Sequence, residues 1–517
     1  MRARRVVPAI VLAAAMAVAG CSSSGSDNSP DSSGSTAAVQ TGGKITIGAA
    51  QGIPQLNPAI RTFAWEEVLF PLLWDGLSET DSSGKVVPDL AESWKVSPDQ
   101  KTWTFKLRSG VKFSNGKALT ADDVVKSLDY YRNPKTATQE ANKIATITKV
   151  TATDPSTVTV QLSAPNALFP SAIVWVKIMD MDALKTINKD PIGTGPFKVS
   201  KFVPGQSLNL VRNDKYWGKA APLDEIDIVT ASDSTAAANS LQSGDLDVLW
   251  SVPATDVDQI ASNPNIKLVK PAVPSQWPDW EVDTTSAPFN NLKARQALAY
   301  ATDREQVLEA AYYGQGTVSP YNDPLNEENP MFSSEGMTKY TYDLDKAKQL
   351  FAEAGVKSGD TLIWWGVAGQ YPEWNTSAQI LQASLKKIGI NLKIENNDLS
   401  TWVEKFYPAG KSFPNMIVPN FQSTPTEPAF SLNYFQPGRC QCNWDNAEYK
   451  AAYKKAIGEP DEAKRKEYWA EVQKVINQDV PEIVPLQSTV VTAVNSKLQN
   501  VWVDGGGQLH LEEAGLS

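Results

Sequence analysis

Residues 107–125, LRSGVKFSNGKALTADDVV, constrain the fold more than any other stretch, because they dictate a strand, two turns and a helix start while carrying no reactive group. Trp103, Phe105 and Leu107 alternate with Thr104 and Lys106, the period of a half-buried strand. Gly110 and the pair Asn115-Gly116 supply backbone freedom for two turns. Thr120 followed by Asp123 fits a capping box, in which a side chain satisfies an orphan N–H at a helix start. Val124, Val125, Leu128 and Tyr131 then continue one apolar face at helical spacing. This is scaffold.

The same stretch, with VVPDLAESWKVSPDQKTWTF (86–105), PIGTGPFKV (191–199), LVRNDKYWG (210–218) and PFNNLKARQALAYATDREQV (288–307), resembles the family 5 extracellular solute-binding proteins, the oligopeptide, dipeptide, nickel and cellobiose receptors of ABC importers. The resemblance runs from about Lys44 to the C-terminus. It implies an α/β, two-lobed clamshell of the periplasmic-binding-protein type (type II, cluster C), with an extra subdomain inserted in the N-terminal lobe. It further implies an N-terminal lobe of 44–272 and 488–517, an inserted subdomain near 86–185, and a second lobe of 273–487. Hinge crossings are then expected near Pro271 to Asp283 and Val484 to Val491.

The N-terminus reads as an address. Arg2, Arg4 and Arg5 precede an apolar run from Val6 to Val18 that is too short for a membrane span, so residues 1–20 fit an export signal. Val18-Ala19-Gly20-Cys21 resembles a lipobox, which implies that Cys21 becomes the lipidated first residue; the bland alternative is an ordinary signal peptide with a chance cysteine. Residues 21–43 are Ser/Gly-rich and too poor in large apolar groups to order themselves. They read as a tether with a reach of about 25 Å. The expected mature chain, Cys21 to Ser517, has 497 residues, enough for two or three lobes. Losing Arg2, Arg4 and Arg5 takes the net charge from −10 to −13, which argues against nucleic acid and against an electrostatic membrane patch.

The body alternates strands and helices, as α/β lobes require. Strand patterns occur at Lys44 to Gly48, Thr102 to Arg108, Thr157 to Leu162, Ser207 to Arg212 and Ile266 to Lys270. From Leu292 onward the chain is more helical. One helix is expected over Asn375 to Ile388, stopped by Gly389 and followed by a strand from Asn391 to Glu395; another spans Asp461 to Asp479.

Catalytic signatures occur only as fragments. Gly410-Lys411-Ser412 ends like a phosphate loop, but Lys405 stands where its first glycine belongs. Ser109 and Lys112 match Ser-x-x-Lys with no Lys-Thr-Gly to follow. A single histidine, His510, leaves little general-base chemistry, nickel or haem ligation, and no metal site or cofactor is expected. With 58 acids, a carboxylate pair stays open, so an exported Trp-rich glycoside hydrolase is the alternative from another class. Cys440 and Cys442 in GRCQCNW are expected to form a local disulfide in an oxidising compartment, with two free thiols as the alternative.

Most of the 16 tryptophans read as core. Those in places suited to a crevice are Trp277 and Trp280 at a hinge crossing, Trp365 after a strand, Trp402 ahead of a helix and Trp444 after the cysteine loop. Gln370, Asn420 and Gln422 could add uncharged hydrogen bonds. Peptide-binding members of the resembled family typically carry Trp-x-x-Asp-x-x-Asp/Glu-Pro, whose first aspartate pairs with the peptide ammonium. Here the frame reads Phe421-Gln-Ser-Thr424-Pro-Thr-Glu427-Pro428, so an uncharged threonine, Thr424, takes that place. Free peptides become doubtful, and uncharged oligosaccharides or blocked peptides gain weight. The expectation is a monomeric, non-enzymatic receptor that captures a small oligomeric solute, peptide or oligosaccharide, and presents it to ABC permease subunits. It would touch the membrane only through its lipid anchor.

Overall fold

A computed structural model describes residues 39–517 except 50–51, 61–65, 137, 139, 142, 232, 369–370, 407–409 and 424–426. Residues 1–38, with Cys21, therefore lie outside the described residues, as do Gln370 and Thr424.

The opening motif folds as its pattern dictates. Thr102–Leu107 sits second in an antiparallel sheet ordered Ala91–Val96, Thr102–Leu107, Thr157–Leu162, Ile147–Asp154. Trp103, Phe105 and Leu107 are buried, and Trp103 and Phe105 close on Phe169 with ring centroids 6.1 and 6.2 Å away. Gly110 and Gly116 turn with φ of +79° and +91°, a region open to glycine at no steric cost. The helix Ala121–Arg132 follows, and the Asp123 carboxylate accepts the Thr120 N–H at 3.0 Å and its hydroxyl at 2.8 Å.

Two larger mixed sheets build the lobes. The first runs Ile266–Val269, Thr492–Asn495, Val248–Leu249, Lys44–Ala49, Glu225–Thr230, Ser207–Arg212, Phe197–Val203. Lys44–Ala49 pairs in parallel with both neighbours, whereas Thr492–Asn495, from far along the chain, enters antiparallel between two earlier strands. The second runs Gly316–Thr317, Gln487–Ser488, Gln276–Glu281, Met416–Ser423, Thr361–Val367, Asn391–Asn397, with Glu482–Ile483 also on Gln276–Glu281. Helices cover it, including Leu292–Ala301 and Pro372–Lys387, while Glu462–Asp479 packs on Ala447–Gly458 in a separate core cluster.

The chain passes from the first sheet to the second before Gln276 and returns after Ser488. The passages are tied together: the Ser275 N–H donates to the Ser488 carbonyl, and the Val490 N–H donates to the Ser275 hydroxyl, each at 3.1 Å. Two features differ from the sequence expectation. Trp364 and Trp365 lie inside the strand Thr361–Val367 rather than after one, and Trp402 lies inside the helix Leu399–Phe406 rather than ahead of it. Both shifts place a large ring on a covered element, where burial of apolar area favours it.

Candidate functional site

A cavity of about 600 Å³ opens between the lobes. Asn166, Leu168 and Ser171 on the first-lobe side face Trp277, Tyr434 and Arg439 on the second. The lobes touch around it. The Ala167 N–H donates to the Ile457 carbonyl at 2.7 Å, and the Lys143 ammonium lies 4.2 Å from the Phe430 ring centroid. Lys143 is also ion-paired with Glu140 at 2.7 Å.

The strand Gln276–Glu281 shapes the second-lobe wall through its period of two. Trp277, Asp279 and Glu281 share one face; Trp280 and Val282 share the other and enter the second-lobe core. Trp277 lines the cavity, with its ring 6.2 Å from Tyr434 and its Nε1–H donating to Glu482 Oε1 at 3.1 Å. Trp280 sits three positions on and therefore faces away, edge-on to Trp364 at 5.2 Å. Residues i and i+3 of a strand cannot serve one crevice.

Behind that wall lies an acid trio, Asp279, Glu281 and Glu482, all buried. Cross-strand register sets Asp279 opposite Asn420 and Trp277 opposite Gln422. Glu281 Oε1 accepts the Tyr434 hydroxyl and the Asn420 amide, the latter at 3.1 Å. Burial pushes Glu281 up to about 7, even though those donors oppose the rise. Asp279 and Glu482 are pushed well above the carboxylate range, first by burial and then by the neighbouring acids. Gln422 also lines the cavity.

The remaining residues singled out in the sequence lie elsewhere. Asn420 is buried behind the wall on Glu281. Trp365 is in the second-lobe core with the Lys405 ammonium 5.9 Å from its ring, and Trp402 packs on Trp374 at 5.9 Å. Trp444 donates to Asp479 Oδ2 at 2.6 Å inside a third core cluster. None of Trp280, Trp365, Trp402, Trp444 and Asn420 lines the cavity. Cys440 and Cys442 are joined as a disulfide with Cα atoms 5.1 Å apart. Their sulfurs and a Glu281 oxygen lie within 4.8 Å of one another, but the disulfide leaves no thiolate to ligate a metal.

Residues 85–440 match the family model for bacterial extracellular solute-binding proteins, family 5 (middle region), more than half of the chain. The chain belongs to that family. As a family 5 solute-binding protein it is 26% identical to the dipeptide-binding protein of Escherichia coli K12, over 93% of this chain and 96% of that one. The structure of AgaA from A. tumefaciens R10 in complex with agropinic acid superposes with a TM-score of 0.80 at 25% identity, covering 92% of this chain and 99% of that one. The oligopeptide-binding protein AppA of Bacillus subtilis, in complex with a nonapeptide, gives a TM-score of 0.80 at 24% identity, over 93% of this chain and 100% of that one. No helix among the described residues is long and apolar enough to cross a membrane.

In this family 5 chain, sequence reasoning missed Lys143, Phe430, Tyr434 and Arg439. Arg439 adjoins the Cys440 loop that was noticed, and two acids in Q-W-P-D-W-E at strand spacing with Trp277 were a readable signal. Lys143 and Phe430 left none, since they meet only when the lobes do.

Proposed function

We propose that this chain is the lipid-anchored, non-enzymatic substrate-binding protein of an ABC importer, and that it holds an oligopeptide-sized solute between its lobes by hinge closure. The observation that carries this reading is the interlobe cavity of about 600 Å³ in a family 5 fold, within the size range of small-molecule sites. The paired passages at Ser275 and Ser488 form the hinge, and a solute touching both walls favours the closed arrangement over an open one. Relatives whose names specify dipeptides and a nonapeptide support a peptide or peptide-like ligand. Thr424 in place of an aspartate argues against a free ammonium at that end, which keeps blocked peptides and oligosaccharides in view.

A glycosidase would need two carboxyl groups facing its substrate, roughly 5–10 Å apart. No Asp or Glu among the described residues lines this cavity. The solute should therefore leave as it entered. After incubation with a mixture of N-acetylated tri- to pentapeptides and gel filtration, mass spectrometry of the denatured complex should return intact solute near one per chain; accumulating cleavage products would overturn the receptor reading. For the anchor, Cys21→Ala should shift the protein from the membrane to the soluble fraction of cells, and continued membrane retention would refute lipidation at Cys21.

A further inference from the structure

Four cationic side chains, Lys143, Arg439, Lys450 and Lys454, line the cavity, with no carboxylate among the described lining residues. This occurs in a chain whose net charge is −10. The four are not equivalent. Lys143 is neutralised by Glu140 at 2.7 Å, and Lys450 by Asp445 at 2.5 Å. Arg439 is half-buried, yet its guanidinium makes no hydrogen bond or ion pair with any described residue. Burial lowers its pKa, and no carboxylate lies close enough to restore it; Glu140, the nearest acid acting on it, is already engaged by Lys143.

The acid trio does not line the cavity. Burial and the neighbouring acids push Asp279 and Glu482 well above their ordinary values, and Glu281 is engaged by the Tyr434 hydroxyl. The wall thus presents a half-buried forked cation with no partner among the described residues. A guanidinium in that state is satisfied by a planar anion that takes two parallel N–H bonds.

Resting on the receptor reading above, we propose that the cavity selects a solute bearing a carboxylate, gripped by Arg439 with Lys143 beside it. The acid can be a peptide C-terminus or a uronate, so the test uses both sources. Thermal-shift titrations of the intact protein would compare N-acetyl-trialanine with its C-terminal amide, and trigalacturonate with its methyl ester. The acids should stabilise the protein and their neutral forms should not. Arg439→Gln should weaken acid binding by at least about 30-fold, as when one partner of a buried charge pair is truncated. Arg439→Lys should recover part of that loss, which shows that the site still folds.

Equal stabilisation by acid and neutral forms, or an Arg439→Gln variant that binds acids as tightly as the parent, would overturn the anion inference and leave the receptor reading standing. Should no probe bind, native mass spectrometry of the purified protein decides. A retained solute with an acidic group supports the inference, one without it overturns the inference alone, and an empty protein overturns both readings.

Discussion

In the first lobe, His510 sits between Asp504 and Glu512, each ring nitrogen 3.5 Å from a carboxylate oxygen, with Trp502 stacked 3.6 Å away. In the second lobe, Asp279, Glu281 and Glu482 gather around one strand face and none forms an ion pair with any described residue. Burial would lower the His510 pKa, but Glu512 and Asp504 outweigh it and raise the imidazole to about 9. Lys177 opposes the rise in the nearby acids Asp75, Glu79 and Asp89, but burial prevails and all three stay above their ordinary values. The His510 cluster therefore meets buried charge by pairing, whereas burial shifts the Asp279, Glu281 and Glu482 cluster toward its neutral forms. That difference suits their places: a paired cluster can stay charged away from the cavity, whereas acids shifted toward the neutral form behind its wall oppose Arg439 less.

Removing one partner from each lobe should separate the two solutions. His510→Ala would leave buried Asp504 and half-buried Glu512 without that cation, and a loss on the order of 3 kcal/mol in urea unfolding is expected, the low end for a broken buried pair. A loss under about 1 kcal/mol would mean that the pairing stabilises little.

The smaller effect concerns Glu281 and is read in pH. Its folded pKa is raised from 4.5 to about 7, so its contribution to stability is fully present below about pH 4.5 and is lost as pH rises to about 7. The loss is on the order of 3 kcal/mol. The contribution of His510 is fully present below about pH 6.5 and is lost as pH climbs to about 9. Melting temperatures across pH 4.5–9 should fall in both windows in the parent. Glu281→Gln should flatten the lower window and spare the upper; a profile unchanged by that substitution would show that Glu281 titrates normally.

Local pattern made much of this architecture legible. Thr157–Leu162 and Ser207–Arg212 occupy the spans expected from alternation, and the Asp461 start of the last long helix caps it by accepting the Lys464 N–H at 2.9 Å. The candidate site was far less legible. Trp277 and Gln422 were singled out and do line the cavity, but Trp280, Trp365, Trp402 and Trp444 were singled out on the same grounds and are packed in cores. An aromatic ring has the same sequence signature in a core as in a binding wall, because both uses bury apolar area.

The amino-acid sequence by itself determined the family and the main secondary elements. Periodicity, turn glycines and caps act over a few residues, and each stretch carries them intact. Tertiary structure alone decided which face of Gln276–Glu281 meets the cavity, that Lys143 reaches Phe430, and that Arg439 stands without a partner among the described residues. Those facts depend on register and on groups distant in the chain coming within a few ångströms, where desolvation and charge first begin to matter.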